Sequence, residues 1–102
     1  MPHEPPPIAC TLSPGEMKAR QAELRALGEE ALVSKLVSGD SAVLRFRPDA
    51  GIRLRVEAAV AAESECCPFL DFELVLGEDA TVLTITAPGG AAEALASVFS
   101  GR

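Results

Sequence analysis

Two stretches of this chain alternate apolar and polar residues around a short turn, and this pattern constrains the fold more than any other feature. The first stretch covers residues 31–47 with its turn at 38–41, and the second covers residues 71–86 with its turn at 77–80. Alternation with a period of two, interrupted by glycine and small polar residues, is typical of antiparallel β-hairpins. The sequence therefore predicts two hairpins, which together supply four strands.

Helix signals precede the first hairpin. Ser13 can cap a helix that has Pro14 in its first position, and Glu16 completes a capping box. Gly28 is of the residue type that most often follows a helix end. We therefore expect the first helix over residues 14–27.

Two more helices are expected from the rest of the chain. Asp49 can cap the start of the second, and Pro68 disfavours helical geometry at the preceding residue, so this helix should end by Cys67. A short third helix is expected over residues 91–99, after a proline and two glycines. The predicted fold class is α+β, with the order αββαββα and a four-stranded antiparallel sheet that has its helices largely on one face.

The alternation also assigns strand residues to the two faces of the sheet. The residues expected to face the helices are Leu44, Phe46, Phe72, Leu74, Leu83 and Ile85. The residues expected on the opposite face are Arg45, Arg47, Asp71, Glu73, Thr84 and Thr86. Simple solvation is the favoured expectation for this outer face, although it could also pair with a second subunit to form a homodimer.

Length and charge bound the class of protein. The 102 residues fit one domain, which we expect over residues 9–102 after a flexible Pro-rich tail at 1–8. No apolar run approaches the roughly 18 residues that span a membrane, and the N-terminus lacks the features of a signal peptide, so we expect a cytoplasmic protein. The net charge of −6, with basic residues scattered among acidic ones, argues against nucleic acid and anionic membranes as partners.

The cysteines carry the most concentrated chemistry of the sequence. Cys66 and Cys67 are adjacent near the predicted end of the second helix, and Cys10 precedes the first helix. In a reducing compartment, clustered cysteines more often bind metal or do redox work than form disulfides. Adjacent thiolates offer two soft donors, which favour Hg(II), Cu(I), As(III) or Zn(II), and Cys10 is the candidate third ligand.

The position of the pair bears on its reactivity. Helix N-termini stabilise thiolates, whereas Cys66 and Cys67 are predicted at a helix C-terminus, where the helix dipole opposes ionisation. A soft metal can still displace the thiol protons, because metal binding itself supplies the free energy. The position favours metal capture over a reactive nucleophile, although both cysteines could instead be small core residues.

Glu63 is the acidic residue most closely associated with the cysteines. It precedes them by three and four residues, so its side chain is expected on the same face of the helix. A carboxylate there could accept a thiol proton or orient a bound species. The alternative is a partly exposed glutamate that pairs with Arg20 or Arg53.

The segment that contains the cysteine pair resembles a known signature. Residues 63–73, Glu-Ser-Glu-Cys-Cys-Pro-Phe-Leu-Asp-Phe-Glu, are similar to the Glu-x-x-Cys-Cys-Pro-Phe-Leu-x-Phe pattern of small, mostly uncharacterised bacterial proteins. Cys-Thr-Leu at 10–12 and Ala-Pro-Gly at 87–89 accompany it, so the resemblance covers most of the chain from residue 9 onward. It implies a loose association with heavy-metal resistance and metal-responsive regulators. The polar positions that it implies are Cys10, Glu63, Cys66 and Cys67.

Three functions remain open from the sequence. The leading hypothesis is soft-metal or metalloid binding, with mercury as one candidate ion, in resistance or sensing. In this hypothesis Cys66 and Cys67 are ligands, Cys10 is a third ligand and Glu63 is a supporting acid. The second is a thiol redox or thiol-transfer enzyme, in which one cysteine attacks and another resolves. A catalytic role on the metal itself, such as cleavage of a metal–carbon bond, falls between these two. The third is a non-catalytic interaction or regulatory domain with buried cysteines, so the residues alone leave open whether the chain is an enzyme.

Overall fold

The computed structural model of the chain describes residues 14–66 and 68–100. The predicted tail at 1–8 and the predicted cap Ser13 lie outside these residues. The elements follow one another as α1 (Pro14–Ala31), β1 (Leu32–Ser38), β2 (Ser41–Phe46), α2 (Ala50–Cys66), β3 (Asp71–Leu76), β4 (Thr81–Thr86) and α3 (Ala91–Ser100). The predicted order αββαββα and the α+β class are confirmed.

The four strands form one antiparallel sheet in the order β1-β2-β4-β3. Each predicted hairpin is present, and the second strand of one hairpin pairs with the second strand of the other. The register places Leu44 beside Leu83, and Leu83 beside Leu74. The two hairpins therefore form a continuous surface, with β1 and β3 as its edges.

The helices cover one face of this sheet, as predicted. Four of the six residues expected to face them are buried, and Phe72 and Leu74 are partly buried against the same core. Of the residues expected on the other face, Thr84 is half-buried and the rest are exposed. Among the described residues, no helix is long and apolar enough to cross a membrane.

Helix α1 does not end where the sequence predicts. It continues through Gly28 to Ala31, so the predicted end at residue 27 is wrong. A Cβ atom at position 28 would lie 1.7 Å from the carbonyl oxygen of Phe99 in α3. The glycine therefore permits a close crossing of two helices and does not terminate one of them.

Helix α3 packs against α1 and over β1 and β2, whereas α2 packs over β3. The Phe99 ring packs edge-on against Phe46 of the sheet, with 5.7 Å between the ring centroids. Ala92 and Ala96 are buried on the same helix, and their small side chains allow it to lie close to its neighbours. Ile52 and Val56 provide the corresponding buried positions on α2.

Candidate functional site at the end of helix α2

Two of the four predicted site residues, Glu63 and Cys66, belong to the last turn of α2. Glu63 is fully described, and Cys66 is the last residue of the helix. The side chain of Cys66, together with Cys67 and Cys10, lies outside the described part of the chain. The approach of Cys10 to the cysteine pair therefore stays a prediction.

Glu63 is buried, with 7% of its surface exposed. Arg20 Nη1 of α1 donates a hydrogen bond to Glu63 Oε2 at 3.0 Å, and the two groups form an ion pair. The expected pairing with Arg20 is confirmed, but the expectation of a partly exposed glutamate is wrong. Ala59 and Val60, one turn earlier on α2, pack against the core. This face of the helix therefore points into the interior.

The other candidate partner, Arg53, is engaged elsewhere. Its guanidinium donates a hydrogen bond to the carbonyl oxygen of Gly77, in the turn between β3 and β4. Arg53 lies in the first turn of α2, whereas Glu63 lies near its end, so the two side chains make their contacts at opposite ends of the helix. The pairing of Glu63 thus joins α1 to α2, across 43 residues of sequence.

A cavity of about 260 Å³ opens beside the Arg20–Glu63 pair. It is bounded by α1, α3 and the segment that follows α2. The residues that line it are Met17, Arg20, Gln21, Leu24, Glu63, Phe69, Leu70, Gly89, Gly90, Ala91, Ala94, Leu95 and Val98. Its wall is mainly apolar, and Arg20 and Glu63 are the charged residues among those that line it.

The cavity contacts the chain on both sides of the cysteine pair. Glu63 precedes Cys66 by three residues, and Phe69 and Leu70 follow Cys67 after one intervening proline. All three flanking residues line the cavity. The residues that flank the dipeptide in the sequence therefore line one predominantly apolar depression.

Sequence reasoning did not predict the wall that α3 supplies. Gly89 and Gly90 adopt φ values of 70° and 83°, which other residues rarely adopt, and they lead the chain into α3 at the cavity edge. Leu95 and Val98 then line the cavity one turn apart. The signal in the sequence was the nearly uniform apolar character of residues 91–99, which indicates a helix with apolar surface on more than one side.

The arrangement limits what Glu63 can do chemically. An ionised carboxylate that is paired with a guanidinium is a hydrogen-bond acceptor and not a proton donor. Arg20 bonds Oε2, which leaves Oε1 without a partner among the described residues. Glu63 is therefore suited to accept a hydrogen bond from a group at the cavity edge.

The described residues do not by themselves form a metal site. Within this part of the chain, no group of three or more His, Cys, Asp and Glu side chains could hold a metal ion. The side chains of the three predicted ligands lie outside it. Comparisons with protein-family models, with curated proteins and with solved structures give no match to this chain.

Proposed function

We propose that this protein binds a soft metal ion or metalloid through the thiolates of Cys66 and Cys67. The observation that supports the proposal is that the residues on either side of the pair in the sequence, Glu63 before it and Phe69 and Leu70 after it, line the same cavity. Two adjacent thiolates are soft donors, and soft ions are the species they select. In this proposal Cys10 is the third ligand for ions that need one.

The character of the cavity favours some ions over others. A mainly apolar wall disfavours net charge, because burying an unpaired charge is costly. The Arg20–Glu63 pair already sums to zero. A divalent ion with two thiolates is also neutral, whereas Cu(I) with two thiolates keeps one negative charge.

The number of ligands that each ion requires separates the candidates further. Hg(II) forms stable linear complexes with two thiolates, so the pair alone satisfies it. Structural Zn(II) sites are almost always tetrahedral with four ligands. As(III) reaches neutrality with three thiolates, and therefore requires Cys10 in addition to Cys66 and Cys67. We expect the order Hg(II) before As(III), and both before Cu(I) and Zn(II).

Glu63 supports the site without ligating. A thiol must lose its proton when it binds metal, and the free Oε1 of Glu63 is placed one helical turn before Cys66. A hydrogen bond from a neighbouring carboxylate also orients a ligand, and the loss of such partners typically weakens metal affinity by about 10–100-fold. Arg20 holds the carboxylate in place for this role.

Native mass spectrometry of the reduced protein tests the proposal. Hg(II), As(III), Cu(I) and Zn(II) are offered in competition to the wild-type chain and to Cys66→Ser, Cys67→Ser and Cys10→Ser. We expect one Hg(II) per chain, lost in either variant of the pair and retained in Cys10→Ser. We expect As(III) binding to be lost in all three variants.

A thiol titration with and without denaturant separates this proposal from its main alternative. Binding thiols should react in the folded protein, whereas core cysteines should react only after unfolding. Unchanged metal affinity together with a lowered melting temperature in Cys66→Ser and Cys67→Ser would overturn the proposal. Both cysteines would then be packing residues.

A further inference from the structure

The outer face of the sheet, which the helices leave uncovered, combines apolar side chains with a few charges. Register places its residues in cross-strand rows, and one row runs from Leu36 through Val43 and Thr84 to Glu73. The next row runs from Ser34 through Arg45 and Val82 to Val75. Leu36 is 67% exposed and Val75 is 52% exposed.

The charges on this face are segregated. Arg45 lies on β2, towards the β1 edge, whereas Asp71 and Glu73 lie on β3 at the opposite edge. Strand β4 separates Arg45 from Glu73, and neither forms an ion pair with another described residue of its own chain. The β2 side of the face therefore carries a single cation, Arg45, and the β3 side carries the two carboxylates of Asp71 and Glu73.

We propose that this face binds a second copy of the same chain. A twofold axis parallel to the strands, lying between two such sheets, places β1 over the partner's β3 and β2 over the partner's β4. Leu36 then approaches the partner's Glu73 stem and Val75, and Arg45 comes within reach of the partner's Glu73. The symmetry repeats each contact, as an isologous interface requires.

The charge pattern favours a second copy of the chain as the partner of this face. A surface with opposite charges on its two halves is complementary to itself after a twofold rotation, and opposite charges across an interface set its register. Apolar Leu36, Val43, Val82 and Val75 supply the surface that association removes from water. An acidic or basic partner would match only one half of the face and would oppose the other.

The size of the face predicts a reversible dimer. Four strands about 4.8 Å apart, each of about six residues at about 3.3 Å, give a face of roughly 19 Å by 20 Å. Stable interfaces bury about 800 Å² of accessible surface per partner, which is more than such a face provides without its rim. Like net charges of −6 also oppose association. We therefore expect a dimer whose population rises with protein concentration.

Sedimentation equilibrium of the reduced, metal-free protein tests this inference, with a chelator present. These conditions exclude disulfide-linked and metal-bridged dimers, so the outcome does not depend on the proposed metal site. We expect a monomer at about 1 µM and a dimer towards about 1 mM. Leu36→Asp should raise the dimer dissociation constant at least about tenfold, because it replaces an exposed apolar side chain of the interface with a negative charge that faces the partner's Glu73.

Leu54→Asp is the matched control for Leu36→Asp. Leu54 is 66% exposed, almost the same as Leu36, but lies on α2 on the helical side of the protein. The control should leave the dissociation constant unchanged. Thermal melting of both variants checks that neither has lost its fold.

A charge swap tests the orientation of the two copies. Arg45→Glu and Glu73→Arg should each weaken self-association, because each creates like charges across the interface. An equimolar mixture of the two variants should dimerise again, because each cross-chain contact then pairs opposite charges. A wild-type chain that stays monomeric at about 1 mM, or a mixture that does not recover, would overturn the inference.

Discussion

Replacement of Gly28 by alanine is the sharpest test of how the helices meet. In an exposed helix, alanine is more favourable than glycine by about 1 kcal/mol. At position 28, however, the added Cβ would lie 1.7 Å from the carbonyl oxygen of Phe99. Because favourable carbon contacts begin near about 3.5 Å, α1 and α3 must separate by about 1.5–2 Å.

The cost of that separation is set by what α3 packs against. A radial gap of about 1 Å already forfeits a quarter to a half of the dispersion energy of the contacts it opens. The contacts at risk include the Phe99–Phe46 pair and buried Ala96. Overpacking costs about 1–3 kcal/mol, and a clash with backbone belongs at the upper end. After subtraction of the gain of about 1 kcal/mol in helix propensity, we expect Gly28→Ala to destabilise the protein by about 2 kcal/mol.

The assay is thermal unfolding of Gly28→Ala beside Gly51→Ala. For a chain of this size, about 2 kcal/mol corresponds to a fall in Tm of about 8–16 °C. Gly51 lies in the first turn of α2, and a Cβ there meets no atom within 4 Å. The same substitution at position 51 should therefore raise Tm by a few degrees, as expected for a gain of about 0.5–1 kcal/mol. A rise in Tm of Gly28→Ala comparable to that of Gly51→Ala would refute the close crossing.

The remaining predictions concern the buried ion pair and the cysteines. Arg20→Met should destabilise the protein by about 2 kcal/mol, which is less than for a fully buried ion pair because Arg20 is partly exposed. The double variant Arg20→Met with Glu63→Gln should recover part of this loss, and a double-mutant cycle measured by urea unfolding tests both values. Glu63→Gln alone should lower Hg(II) affinity by about 10–100-fold in a competitive titration, whereas Glu65→Gln, at an exposed position of the same helix, should leave it unchanged. Cys66→Ser and Cys67→Ser should each abolish high-affinity Hg(II) binding with little change in melting temperature, and equal Hg(II) affinity in wild type and both variants would contradict the ligand assignment.

Local patterns were sufficient to predict the elements themselves. The predicted strands at 71–76 and 81–86 match β3 and β4 residue for residue. Both are bounded by turn residues and alternate between polar and apolar residues except at Val75 and Val82, so the signal is contained in neighbouring residues. The start of the first helix at Pro14 and the end of α2 before Pro68 follow from equally local chemistry.

The candidate site was predictable only in part. Helical spacing predicts that Glu63 shares a face of α2 with the cysteines, and Arg20 was one of two candidate partners. The burial of Glu63 and its ion pair with Arg20 depend on how α1 packs across α2. The cavity depends in addition on α3, which the chain reaches only after the second hairpin.

The sequence by itself determined the two hairpins, the starts of α2 and α3, and the place of Glu63 in α2 three residues before Cys66, because each depends on residues that are close together in the chain. Only the tertiary structure decided the strand order β1-β2-β4-β3 and the continuation of α1 through Gly28. Alternation with a period of two predicts which residues share a face of the sheet, but it does not predict which edge of one hairpin pairs with which edge of the other. A glycine in a helical segment is equally consistent with a helix end and with a close contact to another element. At position 28 it allows a close contact, because the backbone of α3, more than 70 residues away in sequence, lies against it.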